Sequence, residues 1–299
     1  MKNKEVYKSG FAALIGRPNV GKSTLLNQLV SEKIAATSKS PQTTRNKITG
    51  VCHFPAGQII LMDTPGIHKA KSKLNRTMVQ TSLSVFGDVD VILFLIDALK
   101  GLEEEDEYAL KALGDTVGSR ILVLNKIDLI PKGELLPLIA QLRGLEGFLE
   151  IVPISAKKKD GLEVLTNIML NHLPEGPAYF PEDMITDCPE KFLIGEIVRE
   201  KTIRLTRLEI PYSVAAVVDQ IGPGKMPGVT VIYATLFTEK TSQKKILIGQ
   251  NGTMLKKIGS LARNEIEKRF GGKAYLNLHV KVKENWRESD YCLKEFGYR

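Results

Sequence analysis

Residues 16–24 read GRPNVGKST, and this stretch decides the fold. It stands between an apolar run, FAALIG (residues 11–16), and TLLNQLV (residues 24–30), whose apolar residues have helical spacing. Its glycines let the backbone curl so that N–H groups point inward, where the following helix adds the positive end of its dipole. The stretch is therefore predicted to be a strand-to-helix turn that holds an anion.

The spacing of the glycines, the lysine and the hydroxyl matches G-x-x-x-x-G-K-[ST], the P-loop pattern. Lys22 is expected to reach the β- and γ-phosphates of a nucleotide, and Ser23 to offer its hydroxyl to Mg²⁺. The other nucleotide contacts predicted in this loop are Gly16, Asn19, Val20, Gly21 and Thr24. A chance glycine-rich turn is the alternative, and the strand–loop–helix context argues against it.

Apolar runs typical of buried strands alternate with helical segments through the first part of the chain. They are FAALIG, IILMD, VDVILFLID, ILVLN and LEIVPIS. This alternation predicts an α/β fold, a mostly parallel sheet with helices on both faces. Residues 173–190 hold four prolines and a cluster of acids, which indicates a linker or a strapped-down connector. We predict a first domain over residues 1–172, a linker over 173–190 and a second domain over 191–299.

Three later stretches each end a predicted strand, where parallel sheets bind their ligands. DTPG (residues 63–66) offers a carboxylate for the metal and a backbone N–H for the γ-phosphate. NKID (125–128) offers a carboxylate that accepts from N1–H and the 2-amino group of guanine, which selects GTP over ATP. SAK (155–157) closes over the base. The predicted contacts are Asp63, Gly66, Asn125, Lys126, Asp128, Ser155, Ala156 and Lys157.

In this order the stretches resemble the G1, G3, G4 and G5 motifs of the translation-factor-like GTPases. That family's G2 element implies a threonine in the switch I loop, and PQTTR (residues 41–45) is similar to it. The resemblance points to Thr44 as a Mg²⁺ ligand beside Ser23 and Asp63, with Thr43 as the alternative. The residues it implies for catalysis of GTP hydrolysis are Lys22, Thr44, Gly66 and Asn19.

The residue after D-x-x-G departs from the Ras-like pattern, in which a glutamine orients the attacking water. Here it is Ile67, which cannot do so, and we expect slow intrinsic hydrolysis of GTP to GDP and phosphate. The form GRPNVGKS resembles a branch in which the asparagine helps hold K⁺ against the phosphates, in the electrostatic part of an arginine finger. A plain turn role for Asn19 is an equal alternative.

After residue 190 the pattern becomes α-β-β-α-α-β, an α+β unit with helices on one face of a three-stranded sheet. The chain has a net charge of +8, and its positive charge is concentrated here: residues 240–287 hold twelve Lys or Arg against three acids. This concentration suits nucleic acid or an anionic membrane, and a solvated basic face is the alternative.

Within that order, GQNG (residues 249–252) resembles the GxxG loop of type II KH domains, which clamps about four nucleotides of single-stranded RNA. The resemblance implies RNA contacts at Ile248, Gly249, Gln250, Asn251, Gly252, Lys244, Lys245, Lys256 and Lys257. The family often has a lysine inside the loop, where this chain has Gln250 and Asn251, and the flanking lysines could supply the charge instead. His279 and Trp286 either stack on bases or serve packing and surface roles.

A GTPase domain followed by a type II KH domain is similar to the bacterial ribosome-assembly GTPases over nearly the whole chain. The resemblance implies binding of the 3′ end of 16S rRNA favoured by GTP, assistance to 30S assembly, and peripheral contact with the cytoplasmic side of the inner membrane. Three scattered cysteines and no apolar run of about 20 residues suit a cytoplasmic protein. We expect a monomer.

Three other functions stay open from sequence alone. One is a GTPase that acts mainly on a membrane or protein partner. The second is a constitutive RNA-binding protein in which the nucleotide is only structural. The third is an ATPase, which requires that Asp128 does not read guanine.

Overall fold

The computed structural model describes residues 6–38, 40, 42–114, 118–206 and 208–298, and Pro41 of the predicted G2 stretch lies outside them. The chain forms two compact units. Unit 1 comprises the residues up to Ala35, Thr44–Lys71 and Asn75–Asp187. Unit 2 comprises Ala36–Thr43, Ser72–Leu74 and the residues from Cys188 onward. In the part that the structure describes, no helix is both long and apolar enough to span a membrane.

Unit 1 is built on a six-stranded sheet in the order β2-β3-β1-β4-β5-β6. Its strands are β1 (Lys8–Ile15), β2 (Ile48–Phe54), β3 (Gly57–Asp63), β4 (Val91–Asp97), β5 (Ser119–Asn125) and β6 (Glu150–Ile154). All neighbours are parallel except β2, which runs antiparallel to β3. The mostly parallel sheet is confirmed, and the sequence missed β2, an edge strand without a continuous apolar run.

Helices cover both faces of this sheet. They are α1 (Lys22–Leu29), α2 (Lys73–Leu83), α3 (Glu104–Leu113), α4 (Lys132–Leu142) and α5 (Leu162–His172). The central strand β4 is buried along its whole length, as its sequence VILFLID requires. Ile92, Phe94 and Ile96 face a core that includes Ala109 of α3 and Leu142 of α4. Because every strand but β2 runs in one direction, their carboxyl ends meet at one edge.

Much of the segment 173–187 is hydrogen-bonded to unit 1. Ser9 N donates to Pro174 O (3.1 Å), and Val51 N in β2 donates to Ile185 O (2.9 Å). The fully buried side chain of Gln58 accepts from the N–H groups of Tyr179 (2.8 Å) and Phe180 (3.0 Å) and donates to Phe180 O (2.8 Å). We call residues 173–187 the strap.

Unit 2 has the element order that the sequence predicts, with two short additional helices. Its elements are α6 (Glu190–Leu205), α7 (Ile210–Ser213), β7 (Ala215–Pro223), β8 (Val229–Thr238), α8 (Thr241–Ile248), α9 (Thr253–Phe270), β9 (Lys273–Val282) and α10 (Asp290–Glu295). The sheet order is β7-β8-β9, with β7 antiparallel and β9 parallel to β8. This arrangement confirms the KH fold.

The unit 2 core lies between the sheet and the helices α6, α8 and α9, which contribute Ile194, Leu247 and Ile258 among others. Trp286 is fully buried in a separate aromatic cluster with Phe296 and Tyr298. Its Nε1 donates to Ser213 O (2.9 Å). Trp286 is therefore a packing residue and not a surface on which a base could stack.

Substitution of Gln58 by Met should lower the free energy of unfolding by about 2–3 kcal/mol, because it leaves two N–H groups of the strap without acceptors. Urea unfolding measures the change, with the exposed strap variant Glu182→Gln as the control. A change below about 0.5 kcal/mol in Gln58→Met would show that the strap is not held through this side chain.

Candidate functional site

The P-loop holds its lysine in a buried position. Lys22 Nζ donates to the carbonyl oxygens of Gly16 (2.9 Å) and Arg17 (3.0 Å). Burial lowers the pKa of Lys22 to about 8, against the opposing effect of the Asp63 carboxylate. The charge thus sits in a poorly solvated loop, where its attraction for an anion is stronger than in water.

The amide of Asn125 connects three of the predicted stretches. Its Nδ2 donates to Val20 O (2.8 Å), and its Oδ1 accepts from the N–H groups of Lys126 (2.8 Å) and Ala156 (3.0 Å). Gly21 lies against it with φ +106°, and a Cβ there would come within 2.2 Å of Asn125 Nδ2. The second P-loop glycine is required both by its φ and by this close approach.

Lys126 and Asp128 take different roles in the same turn. Lys126 Nζ donates to Asn19 O (2.7 Å) and to Asp97 Oδ2 (2.5 Å). Asp128 Oδ1 accepts from Ser155 Oγ (2.6 Å). The hydroxyl of Ser155 thus positions the carboxylate that the sequence assigns to guanine. Lys157 is exposed at the end of this cluster, as is Asn19 in the P-loop.

Two hydroxyls and one carboxylate meet beside the P-loop. Ser23 Oγ lies 2.6 Å from Asp63 Oδ2 and 2.7 Å from Thr44 Oγ1, and Thr44 Oγ1 lies 3.4 Å from Asp63 Oδ2. Thr43 instead bonds through its hydroxyl to Ser38 and Ser40. The structure therefore brings Thr44, and not Thr43, to this cluster.

The fit of a Mg²⁺ ion to this cluster follows from its donors. Asp63 is fully buried, and its Oδ1 has no hydrogen-bond partner. Burial raises the pKa of Asp63 to about 6, although Lys22 and the hydroxyls of Ser23 and Thr44 oppose the shift. Hard oxygen donors around a carboxylate that lacks a partner suit a hard divalent cation.

Gly66 and Ile67 follow β3 and pack closely on the P-loop. A Cβ at Gly66 would come within 2.5 Å of Pro18 N, so only glycine fits. Ile67 N donates to Gly16 O (3.2 Å), and the Ile67 side chain is fully buried in the core. Its aliphatic end lies away from solvent and cannot orient water.

Sequence reasoning missed a buried ion pair that a P-loop residue makes with helix α3. Arg17 Nε donates to Asp106 Oδ2 (2.9 Å), and Arg17 Nη1 lies 3.1 Å from Glu103 Oε2. Asp106 is fully buried, and burial raises its pKa above the usual value. The acidic run at residues 103–107 looks like a solvated helix start. The signal that could have found the pair is the capping box of α3, which places Asp106 at its third position.

In unit 2 the loop Gly249–Gly252 takes a glycine-specific backbone. Gly249 has φ +74° and Gly252 φ +77°, while Asn251 has φ +51°. A Cβ at Gly249 would meet Met254 N at 2.8 Å, whereas nothing lies within 4 Å of a Cβ at Gly252. The Gly252 side of the loop therefore leaves room for an approaching chain. Ile248 and Lys244 beside the loop are partly buried, and Gln250 and Lys245 are exposed.

A groove of about 440 Å³ runs from this loop between α9 and β9. Of the predicted RNA contacts, its lining includes Gly252 and Lys256. The predicted contacts outside its lining are Ile248, Gly249, Gln250, Asn251, Lys244, Lys245 and Lys257. The lining residues that the sequence missed are Leu255, Gly259, Ser260, Arg263, Tyr275, Leu276, Asn277 and Leu278. The lining residues on α9 could have been found from the sequence, because one face of a helix carries residues at i, i+3, i+4 and i+7. This is the spacing of Lys256, Gly259, Ser260 and Arg263.

Comparison with known proteins matches both units. A family model described as 50S ribosome-binding GTPase covers residues 11–126, and a KH domain model covers residues 209–287. Over 296 residues the chain is 49% identical to GTPase Era of Geobacter sp. (strain M21), with 99% of each chain covered. It is 45% identical over 294 residues to GTPase Era of Heliobacterium modesticaldum, with 98% of each covered.

Two crystal structures of Era match the chain with a TM-score of 0.95 each. One is a variant of Aquifex aeolicus Era bound to GDP and AlF4⁻, at 43% identity, with 97% of this chain and 99% of that chain covered. The other is Era in complex with MgGDPNP and nucleotides 1506–1542 of 16S ribosomal RNA, at 42% identity, with 98% and 99% covered.

Substitution of Asp106 by Asn should lower the free energy of unfolding by about 3 kcal/mol, because it removes the carboxylate charge that compensates the buried Arg17 guanidinium. Urea unfolding measures the effect. The control is Glu104→Gln, an exposed acid in the same helical turn, which should cost less than about 1 kcal/mol. Equal effects of the two substitutions would contradict the importance of the buried pair.

Proposed function

The chain belongs to the Era family of GTPases, and from this premise we propose that it is a GTP-hydrolysing switch that binds the 3′ end of 16S rRNA and assists 30S subunit assembly. The observation that carries the proposal is the meeting of the P-loop, Asp63, Asn125–Asp128 and Ser155–Ala156 at one edge of a parallel sheet. Residues 1–172 would form the GTPase domain, residues 173–190 the connection and residues 191–299 the RNA-binding domain.

We assign the phosphates of GTP to the P-loop. Its backbone N–H groups and the Lys22 ammonium would contact the β- and γ-phosphates, and the N–H of Gly66 would contact the γ-phosphate. Ser23 and Thr44 would hold Mg²⁺ directly, and Asp63 would hold it through water. When bound, Mg²⁺ neutralises the charge that develops on the β- and γ-oxygens.

The base would lie between the Asn125–Asp128 turn and the Ser155–Lys157 turn. Asp128, positioned by Ser155, would accept hydrogen bonds from N1–H and the 2-amino group of guanine. Adenine lacks the 2-amino group, so the site discriminates against ATP. Lys126 and Lys157 would pack their aliphatic stems against the faces of the ring.

For hydrolysis, the buried Ile67 leaves the attacking water without a glutamine. We therefore propose slow intrinsic turnover that K⁺ accelerates, with Asn19 helping to hold the ion against the phosphates. The exposure of Asn19 at the P-loop surface supports this role, since an ion must reach it from solvent.

RNA would bind along the groove of unit 2. The open side of the Gly249–Gly252 loop admits a sugar–phosphate backbone, and Lys256 and Arg263 supply positive charge along α9. Tyr275, which is 57% exposed, offers a ring on which a base can stack. We further propose that the protein works as a monomer in the cytoplasm and contacts the inner membrane peripherally through its basic surface.

Substitution of Asp128 by Asn should weaken GTP binding by about 10²–10⁴-fold, because the amide keeps only one acceptor oxygen and sets its N–H donors against a donor of guanine. The amide donor that replaces it matches the 2-oxo group of xanthine, so xanthosine triphosphate should bind the variant better than GTP. Nucleotide competition measures both effects. ATP competing equally with GTP for the unmodified protein would overturn the assignment.

Hydrolysis of GTP should be about tenfold or more faster in KCl than in NaCl at equal ionic strength, since the larger ion supplies charge in the position of an arginine finger. In Asn19→Ala the two salts should give the same rate. Equal rates with the unmodified protein would leave Asn19 as a turn residue.

An RNA copied from the 3′ end of 16S rRNA should bind more tightly than a scrambled RNA, and most tightly with a GTP analogue. Lys256→Gln should reduce the slope of log affinity against log salt by about 0.7, the value for one phosphate contact on a single strand. The neighbouring Lys257→Gln is the matched control, because Lys257 does not line the groove. Equal binding of both RNAs, together with pelleting of the protein on anionic liposomes, would favour a membrane function instead.

A further inference from the structure

Helix α6 carries an unusual density of buried charge. The residues from Leu193 to Ile203 are all buried, and they include four charged side chains, Glu196, Arg199, Glu200 and Lys201. A helix that is covered on every side is normally apolar throughout. Burying charge is expensive unless each charge is paired, so these groups need a role or a partner that compensates them.

Part of this charged face is in contact with the segment Ala36–Thr43, which belongs to unit 2 and directly precedes Thr44. Arg199 Nη2 donates to the carbonyl oxygen of Thr43. Glu200 Oε2 accepts from the backbone N–H of Thr37 (3.3 Å). Both contacts are to main-chain atoms, so they depend on where the backbones of Thr37 and Thr43 lie and not on the side chains of these residues.

The Arg199 guanidinium has hydrogen-bond partners for two of its nitrogens and none for the third. Its Nε donates to Glu196 Oε1 (2.7 Å), and its Nη2 also contacts Glu196. Burial acts to lower the pKa of Arg199, but the charge and hydrogen bonds of Glu196 outweigh it, so the pKa lies above its usual value. Nη1 is buried without a hydrogen-bond partner. The guanidinium is therefore a fixed cation whose satisfaction depends on where the Thr43 carbonyl lies.

From Glu200 the contacts continue to the helix that lines the RNA groove. Lys201 Nζ lies 3.1 Å from Glu200 Oε1 and also pairs with Glu265 of α9. Two residues before Glu265 along α9 is Arg263, which lines the groove. A continuous set of hydrogen bonds and ion pairs thus joins the Ala36–Thr43 segment to α9.

We propose that Arg199 and Glu200 are the positioning residues through which the RNA groove responds to the state of the Ala36–Thr43 segment. The proposal rests on the proposed function, in which Thr44 is drawn to the metal when GTP is bound. Movement of Thr44 displaces its neighbour Thr43, which changes the acceptor of Arg199. The change at Arg199 then acts on the neighbouring Glu200, to which it is attracted electrostatically, and reaches Glu265 of α9 through Lys201.

The test compares RNA affinity in two nucleotide states. The dissociation constant of the 16S rRNA 3′-end RNA is measured with GDP and with GDPNP, and their ratio is the readout. Unmodified protein should show a ratio of about 5–150, the usual range of allosteric coupling. In Arg199→Lys, which keeps the charge but loses the planar fork, the ratio should fall to about 1.

The matched control is Arg204→Lys, the same substitution on the same helix. Arg204 is 60% exposed, and its ion pair with Glu200 Oε1 (3.5 Å) can be kept by a lysine, so this variant should keep the full ratio. The thermal unfolding midpoint and the GDPNP affinity without RNA are measured for each variant. A merely structural role of Arg199 would shift the midpoint and leave the ratio unchanged.

A second variant covers the case in which Arg199→Lys does not fold. Glu200→Gln keeps the shape of the side chain, but it cannot satisfy both the Thr37 N–H and the Lys201 ammonium, and its ratio should also fall toward 1. If a folded variant keeps the GDP-to-GDPNP ratio of the unmodified protein, the proposed path through Arg199 and Glu200 is wrong, while nucleotide-dependent RNA binding still holds. A ratio of 1 in the unmodified protein overturns the nucleotide-dependent RNA binding itself, and the path with it.

Discussion

The amide of Asn125 is the interaction on which the geometry of unit 1 depends. One side chain satisfies a P-loop carbonyl, the turn that begins at Lys126 and the backbone of Ala156, so three loops that are far apart in sequence share one reference point. Because a buried amide with all these partners cannot shift without leaving polar groups unpaired, the phosphate end and the base end of the site keep a fixed separation. Gly21 completes the constraint, since any side chain there would displace the amide.

Around this fixed frame the protein concentrates charge in a dry environment. Lys22 and Asp63 are both buried, and burial shifts each of their pKa values toward the neutral form. Burial destabilises the charged forms of both side chains. An anion beside Lys22 and a divalent cation beside Asp63 would together stabilise these charged forms most. The buried Arg17–Asp106 pair adds a second fixed dipole beside the same loop. The proposed affinity for a nucleotide and its metal would then draw on the incomplete solvation of these side chains.

The sequence was sufficient for the elements whose pattern is local. The parallel strands of unit 1 are continuous apolar runs because both of their faces are covered, and the P-loop is a single uninterrupted motif. The strand β2 escaped prediction because it lies at an edge and mixes polar with apolar residues. The Arg17–Asp106 pair and the groove residues Tyr275 and Asn277 escaped because their partners come from distant parts of the chain. The periodicity of one segment shows which of its faces is buried, but it does not show which other element packs against that face.

The strap has a consequence for the edge of the unit 1 sheet. An uncovered edge strand presents free N–H and C=O groups that can pair with another chain and start aggregation. In this protein Val51 of β2 already donates to Ile185 of the strap, and prolines and acids follow one another along that covering segment. Residues of this kind act as gatekeepers against intermolecular strand pairing. A fragment cut before the strap would leave that edge open to pairing with the strands of another molecule.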